Sequence, residues 1–273
     1  MLPINFHKTF TPERHLLSAL VEYAALGKEG NFREISVATG IPMGESSGKV
    51  PAILEYGRGM GLIELVEPSA RGAKKPILTT FGRTIYLEDR TLSEELTQWL
   101  LHMKLCRNNM GAAAWNMVFA EGRNILGSVF KRQQLEEYLV SRFGPGNNRT
   151  GPLVMTYTED SALGMADILI VNGDEITIKK APIRDVYAKG YTAYVLSLLE
   201  QYFPGQGQVT FDDFNRDTQW FDICRWNSAD IERVFESIEK TGYITVDRQM
   251  KPWIIERRAV SEEVWPLIFD DIA

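Results

Sequence analysis

The alternation of apolar and polar positions predicts three helices in residues 1–90. Apolar residues at helical spacing predict a first helix between Thr11, its N-cap, and Leu26. A second, shorter helix is centred on Ile35 and is followed by a turn rich in glycine and proline. The next helical repeat begins at Glu45. Two helices separated by a tight turn favour a helix-turn-helix.

Two strands and a basic turn follow the third predicted helix. Apolar runs at 62–66 and 77–79 predict the strands of a hairpin, and its tip carries Arg71, Lys74 and Lys75. Three helices followed by a hairpin with a basic tip are typical of a winged helix-turn-helix module. Such modules bind nucleic acid or protein.

A connector helix and a weaker copy of the same plan are predicted next. Thr91 and Glu94 have the spacing of a capping box and open a connector helix in residues 91–110. Residues 111–185 then show helical segments followed by two apolar runs. The dipeptide Asn172-Gly173 joins these runs and is a strong signal for a tight hairpin turn.

Residues 186–273 repeat the plan a third time. They predict helices, a hairpin and a closing helix, so the fold class is mainly α with small β-hairpins, arranged as tandem winged helix-turn-helix modules. One predicted helix, at 229–241, is rich in acidic residues and favours protein contact or a solvated face over DNA. Its carboxylates are Asp230, Glu232, Glu236 and Glu239.

Composition and charge favour a cytoplasmic protein and locate any DNA surface. The net charge is −6, distributed as +1 over residues 1–90, 0 over 91–189 and −7 over 190–273. An acidic last third would repel phosphate, so a DNA surface belongs to the first two-thirds. No apolar run is long enough for a membrane span, and no signal pattern opens the chain. Cys106 and Cys224 are expected to be reduced core thiols.

The DNA-contact candidates lie in the first module. The start of the predicted recognition helix offers Ser46, Ser47 and Lys49, and Arg58 lies further along the same helix. The hairpin adds Arg71, Lys74 and Lys75 as phosphate contacts. The alternative at both places is an ordinary solvated helix cap and turn.

Signatures of catalysis are weak, so the sequence predicts neither an enzyme nor a cofactor or metal site. The segment 44–50 resembles a phosphate-binding loop but has Met43 where the first glycine belongs and Val50 where a hydroxyl should hold Mg²⁺. Asp167, Glu175 and Lys179 faintly resemble a metal-dependent nuclease but lack its acidic-x-Lys spacing. The histidines have no partners at metal-ligand spacing.

Four segments carry a resemblance to a known family. At FHKTFTPER, EISVATGIPMGESSGKV, YGRGMGLI and LTTFGRTIYLED the chain resembles the prokaryotic domain-of-unknown-function family 4007. Members are companions of sulfurtransferase-like proteins related to phosphoadenylylsulfate reductase, in gene clusters for DNA modification and phage defence. The resemblance implies a DNA-linked defence role and carries over no catalytic residue.

Three functional hypotheses follow. The first is a non-enzymatic protein that contacts double-stranded DNA and recruits or regulates a partner enzyme, such as the sulfurtransferase-like protein of the same cluster. The second is a pure protein–protein adaptor. The third is a divergent nuclease or nucleotide-dependent enzyme. The oligomeric state is left open.

Overall fold

The computed structural model describes residues 1–44, 48–146 and 150–272, and it separates into two compact units. The N-terminal unit is Met1–Lys179 and the C-terminal unit is Lys180–Ala273. Each unit contains one cysteine, Cys106 in the first and Cys224 in the second, and both side chains are fully buried. The predicted first module, connector and most of the second module lie in the N-terminal unit.

The fold is mainly α-helical with small antiparallel hairpins, as predicted. The elements of the N-terminal unit are α1 (Arg14–Ala25), α2 (Phe32–Thr39), α3 (Val50–Gly59), β1 (Ile63–Val66), β2 (Lys75–Leu78), α4 (Thr80–Glu88), α5 (Glu95–Leu105), α6 (Ala113–Asn116), α7 (Arg123–Leu126), β3 (Val129–Lys131), α8 (Arg132–Phe143), α9 (Gly151–Thr158), β4 (Leu169–Asn172) and β5 (Glu175–Ile178). Those of the C-terminal unit are α10 (Ala188–Tyr202), β6 (Gln208–Thr210), α11 (Phe211–Thr218), α12 (Trp220–Ile223), α13 (Ser228–Lys240), β7 (Ile244–Asp247), β8 (Ile254–Arg257) and α14 (Ser261–Val264). No helix in these described stretches is both long and apolar enough for a bilayer.

One order of elements recurs along the chain. A helix is followed by a short extended segment, then by two or three helices, then by a hairpin whose second strand pairs with that first segment. The sheet orders are β3-β5-β4 and β6-β8-β7. In the first copy the extended segment is the single bridge between Gly30 and Lys74, beside the β1–β2 hairpin.

Three predicted helix starts are wrong, and one of them is that of helix α3, which begins at Val50 rather than at Glu45. Helix α1 begins at Arg14 rather than at Thr11, whose hydroxyl donates a hydrogen bond to Glu159 instead of capping the helix. Helix α5 begins at Glu95, and the carboxylate of Asp89, not Thr91, accepts the N–H groups that precede the helix. Asp89 therefore orders the turn that leads into α5 rather than capping the helix itself.

Helix α5 lies in the core of the N-terminal unit. Its residues from Leu96 to Leu105 are all buried, including His102 and Lys104. A helix buried on every face supports the packing of its neighbours, whereas a connector between separate bodies exposes part of its surface. The sequence pattern predicted a helix here but not its central position.

Candidate nucleic-acid interface

The basic tip predicted for DNA contact is a short hairpin turn held at its base. The backbone N–H of Lys74 donates to the carbonyl of Gly30 at 2.7 Å, and the N–H of Gly30 donates back to the carbonyl of Lys74 at 3.1 Å. We call residues 67–74 the first wing. Arg71 and Lys74 extend from it into solvent. Within the residues that the structure describes, neither side chain forms a salt bridge.

Glu29 holds the first wing through hydrogen bonds and a salt bridge. Both of its carboxylate oxygens accept the backbone N–H of Ser69 at 3.1 Å, and its Oε2 lies 3.7 Å from the Nζ of Lys75. The Ser69 hydrogen bond lowers the pKa of the Glu29 carboxyl, and Lys75 adds to the effect. Glu29 therefore orders the turn and at the same time neutralises one of the predicted phosphate contacts.

Lys49 is also engaged within the protein. Its ammonium group forms a salt bridge with the carboxylate of Glu13 and lies 5.6 Å from the ring centre of Phe10. About a quarter of the Lys49 side chain is exposed. The predicted contacts Ser46 and Ser47 lie outside the described residues.

Helix α3, the predicted recognition helix, exposes very little of its surface. Seven of its residues are buried, and Arg58, the predicted contact on its outer face, pairs with Glu55 at 2.7 Å. The first residues of the chain cover part of this helix. Leu2 packs where any side chain at Gly59 would stand, since a Cβ there would lie 2.8 Å from the Leu2 Cδ1.

A cleft of about 830 Å³ remains beside the outer face of α3, between it, β1 and residues 1–8. Its charged lining residues are Lys8, Glu55, Arg58 and Glu64, and Glu55 and Arg58 are paired with each other. A recognition helix must enter the major groove along its length. Because α3 is buried and its outer face carries a carboxylate, its geometry does not favour base contact.

Of the predicted DNA contacts that the structure describes, three cations are therefore paired with carboxylates and two are unpaired in solvent. Lys49, Arg58 and Lys75 are the paired set. Arg71 and Lys74 are the others. The structure places the last two on one turn that hydrogen bonds hold at its base and side, and leaves Lys49 and Arg58 on other elements. Sequence reasoning missed the neutralising acids: Glu13 and Glu29 are distant in the chain, and Glu55 lies one helical turn before Arg58 on the same face of α3.

At its described ends, residues 44 and 48–50, the segment that resembles a phosphate-binding loop differs in local structure from such a loop. It follows helix α2 rather than a buried strand, and the N–H of Lys49 donates to the carbonyl of Pro42 at 3.0 Å. Gly48 has a φ of +51°, and a Cβ on it would lie 2.5 Å from the Cα of Met43. Glycine is thus needed at position 48 for a tight return of the chain, and the geometry of the described residues does not favour a nucleotide.

The nuclease-like set does not come together. Glu175 pairs with Asn172 beside the turn of the β4–β5 hairpin, whereas the N–H of Lys179 bonds to Ile168 at the other end. Four residues along a strand separate Glu175 from Lys179, a span of about 13 Å. Asp167 lies at the Lys179 end. In the described stretches, no group of three or more His, Cys, Asp or Glu side chains is placed to hold a metal ion.

A buried polar cluster was not predicted from the sequence. The Nδ1 of His102 lies 2.7 Å from the Tyr157 hydroxyl and 3.5 Å from the Cys106 Sγ, and all three side chains are buried. Burial raises the pKa of the Tyr157 hydroxyl. Aromatic rings of Trp99 and Phe119 close around the imidazole. Because no solvent reaches it, this cluster supports the core rather than a reaction.

Comparisons with known proteins identify a similar fold but no family. No family model and no curated protein matches the chain. Two solved structures do, described as magnesium ion-bound SspB and SspB, with TM-scores of 0.71 and 0.67. Each is 15% identical and covers 98% of this chain and 87% of its own. At this identity the likeness establishes a shared fold over nearly the whole chain.

Proposed function

We propose that this chain is a non-enzymatic, DNA-contacting accessory protein built from tandem winged-helix modules. It would recruit or regulate a partner enzyme in a prokaryotic DNA-modification or phage-defence system. The observation that carries the proposal is the first wing, a turn fixed at both ends that presents two unpaired cations. The recurring order of helix, extended segment, helices and hairpin supports the winged-helix assignment.

The first wing would bind phosphates rather than bases. Arg71 and Lys74 are long cationic side chains on a tight turn, suited to the DNA backbone, while α3 has no free polar face for base edges. Two phosphate contacts predict a slope of about −1.8 for log K against log salt. Binding through two phosphate contacts depends only weakly on salt and does not read the base sequence. Sequence specificity would then come from the partner enzyme, as expected of an accessory protein.

The test is a titration of a fluorescein-labelled DNA duplex, followed by anisotropy at several salt concentrations. Arg71→Ala/Lys74→Ala should reduce the slope from about −1.8 to near zero. Lys179→Ala/Lys240→Ala removes the same charge from exposed positions elsewhere and should leave the slope unchanged. Absence of binding at low salt, or equal slopes in both double variants, would refute DNA contact by the wing.

A pure protein–protein adaptor is the second candidate. The pairing of Lys49, Arg58 and Lys75 with carboxylates favours it, because these cations are then already satisfied within the protein. A stable complex with a neighbouring gene product, such as a sulfurtransferase-like protein related to phosphoadenylylsulfate reductase, combined with no duplex binding would select this function.

The duplex titration also tests for enzymatic activity. One of the similar SspB structures is described as magnesium ion-bound. The assay is therefore run with and without magnesium chloride, and the duplex is examined for strand breaks. Magnesium-dependent cleavage would replace the accessory role with that of a nuclease.

A further inference from the structure

The C-terminal unit contains an aromatic groove that the DNA hypothesis does not use. It has a volume of about 650 Å³ and lies between the starts of α11 and α13 and the segment that joins β7 to β8. Its apolar lining is formed by Phe211, Phe221, Ile231 and Trp253. This size and lining are typical of sites that bind a small ligand or a few side chains of a peptide.

The walls of the aromatic groove are preformed. The Phe211 ring lies 6.0 Å from Phe221 and 5.7 Å from Trp253, centre to centre. The N–H of Phe211 donates to the carbonyl of Trp253 at 2.8 Å, which joins α11 to the hairpin. The Asn215 side chain accepts the N–H of Phe221 at 3.3 Å. A groove held this way binds without first ordering its walls.

The rim of the groove has an excess of negative charge. Asp212 and Glu232 line it, and neither carboxylate forms a salt bridge within the part of the chain that the structure describes. Glu236 is one helical turn beyond Glu232 on α13 and is also exposed and unpaired there. The cation on the rim, Lys251, lies 6.0 Å from the ring centre of Trp253.

Other acids of α13 are satisfied within the protein. Asp230 pairs with Lys180 at 2.8 Å, and Glu239 pairs with Arg248 at 2.6 Å. The unpaired carboxylates are thus the ones beside the groove. Because charges of one sign at a binding surface select a partner of the other sign, the occupant should be cationic near its apolar anchor. The same carboxylates would repel a phosphate backbone.

We propose that the aromatic groove binds a peptide segment of a partner protein in which a large apolar side chain is flanked by arginine or lysine. The apolar side chain packs against the groove wall formed by Phe211, Phe221 and Trp253, and the flanking cations meet Asp212 and Glu232. This inference rests on the partner-recruiting half of the proposed function and supplies the chemistry of that recruitment.

The test uses a phage-displayed random-peptide library panned on the full chain. Enriched peptides should combine an aromatic or large aliphatic residue with neighbouring arginine or lysine. A synthetic copy of the best peptide should bind the wild-type chain and lose about tenfold in affinity on Glu232→Lys. Glu262→Lys, a matched change on the exposed face of α14, should leave its affinity unchanged.

Several outcomes would overturn the groove proposal. They are no enrichment, enrichment of acidic peptides, competition by single-stranded DNA for the same groove, or equal affinity for wild type and Glu232→Lys. Thermal unfolding of both variants checks that they fold, and both positions are exposed on helices. Duplex titration of Glu232→Lys separates the two proposals. A Glu232→Lys chain that loses peptide binding but keeps the DNA salt slope shows that the groove acts independently of the wing. A chain that binds the peptide but lacks the expected salt slope refutes the wing proposal and leaves the groove proposal in place.

Discussion

Replacing Gly82 with alanine tests the junction between helix α4 and the turn that precedes β1. Gly82 lies in the first turn of α4 and donates its N–H to the Thr79 hydroxyl at 2.8 Å. A Cβ at this position would stand 1.8 Å from the carbonyl oxygen of Leu62 and 2.7 Å from its carbon. Both atoms are backbone, so a rotamer change cannot relieve the overlap.

Three contributions determine how much Gly82→Ala lowers the free energy of unfolding, and two of them are unfavourable and one is favourable. Moving the Leu62 carbonyl away would break its hydrogen bond from the Thr79 N–H, now 3.2 Å long, at a cost of about 1 kcal/mol. Overpacking adds about 1–3 kcal/mol, and the better helix propensity of alanine returns about 1 kcal/mol. We therefore expect Gly82→Ala to lower the free energy of unfolding by about 2 kcal/mol, or Tm by about 4–8 °C.

Differential scanning calorimetry with urea unfolding measures this change. The effect should fall on the transition of the N-terminal unit and leave that of the C-terminal unit in place. Gly44→Ala is the matched control, because a Cβ there meets no atom within 4 Å and Gly44 has no left-handed φ. It should be neutral or slightly stabilising. A Gly82→Ala chain as stable as wild type would refute the tight junction.

Three further predictions concern charged groups. Glu200→Ala removes the carboxylate that accepts the N–H and hydroxyl of Ser261 at 2.6 Å each, and should lower the free energy of urea unfolding of the C-terminal unit by about 1–3 kcal/mol. Burial opposes ionisation of Asp230, but hydrogen bonds from a lysine and a backbone N–H outweigh it and lower its pKa. Since the ionised form is favoured by folding, the C-terminal unit should lose stability as pH falls below about 4, and Asp230→Asn should flatten that loss in acid-unfolding curves. Glu29→Gln should free Lys75 for DNA and steepen the salt slope by about 0.9 in the anisotropy assay.

Glu200→Ala and Asp230→Asn have matched controls, and equal pH dependence of Asp230→Asn and wild type would contradict the role of Asp230. Glu262→Ala is the control for Glu200, and equal losses in the two variants would contradict the hydrogen-bonding role. Asp212→Asn controls for Asp230, since its carboxylate is exposed and has no salt bridge in the described residues. An unchanged or shallower slope in Glu29→Gln would show that Lys75 does not contact the duplex.

Much of the fold could be predicted because its turns and helix ends depend on only a few neighbouring residues. The hairpin at Asn172-Gly173 forms where expected, although pairing of Asn172 with Glu175 makes Gly173 and Asp174 the two turn residues. Of that pair, only Gly173 has a positive φ, +63°. Gly27 and Gly242 lie just past the ends of α1 and α13 and have positive φ, the conformation in which glycine commonly ends a helix.

Signals that depend on distant residues were not visible in the sequence. Strands β3 and β6 have three residues each, too few for an alternating pattern, and they form because β5 and β8 offer partners far along the chain. Helices α11 and α12 are separated at Gln219, whose φ is +55°, and neither glycine nor proline marks this break in the sequence. Among the candidate contacts, the partners of Lys49 and Lys75 lie 36 and 46 residues earlier, at Glu13 and Glu29.

The placement of the two cysteines supplies each unit with its own chemical reporter. Cys106 and Cys224 are both fully enclosed, one in each unit. A maleimide added in pulses during denaturation would alkylate a thiol only after the surrounding unit had opened. Peptide mass spectrometry would then measure when each unit opens, in a single sample and without any engineered label.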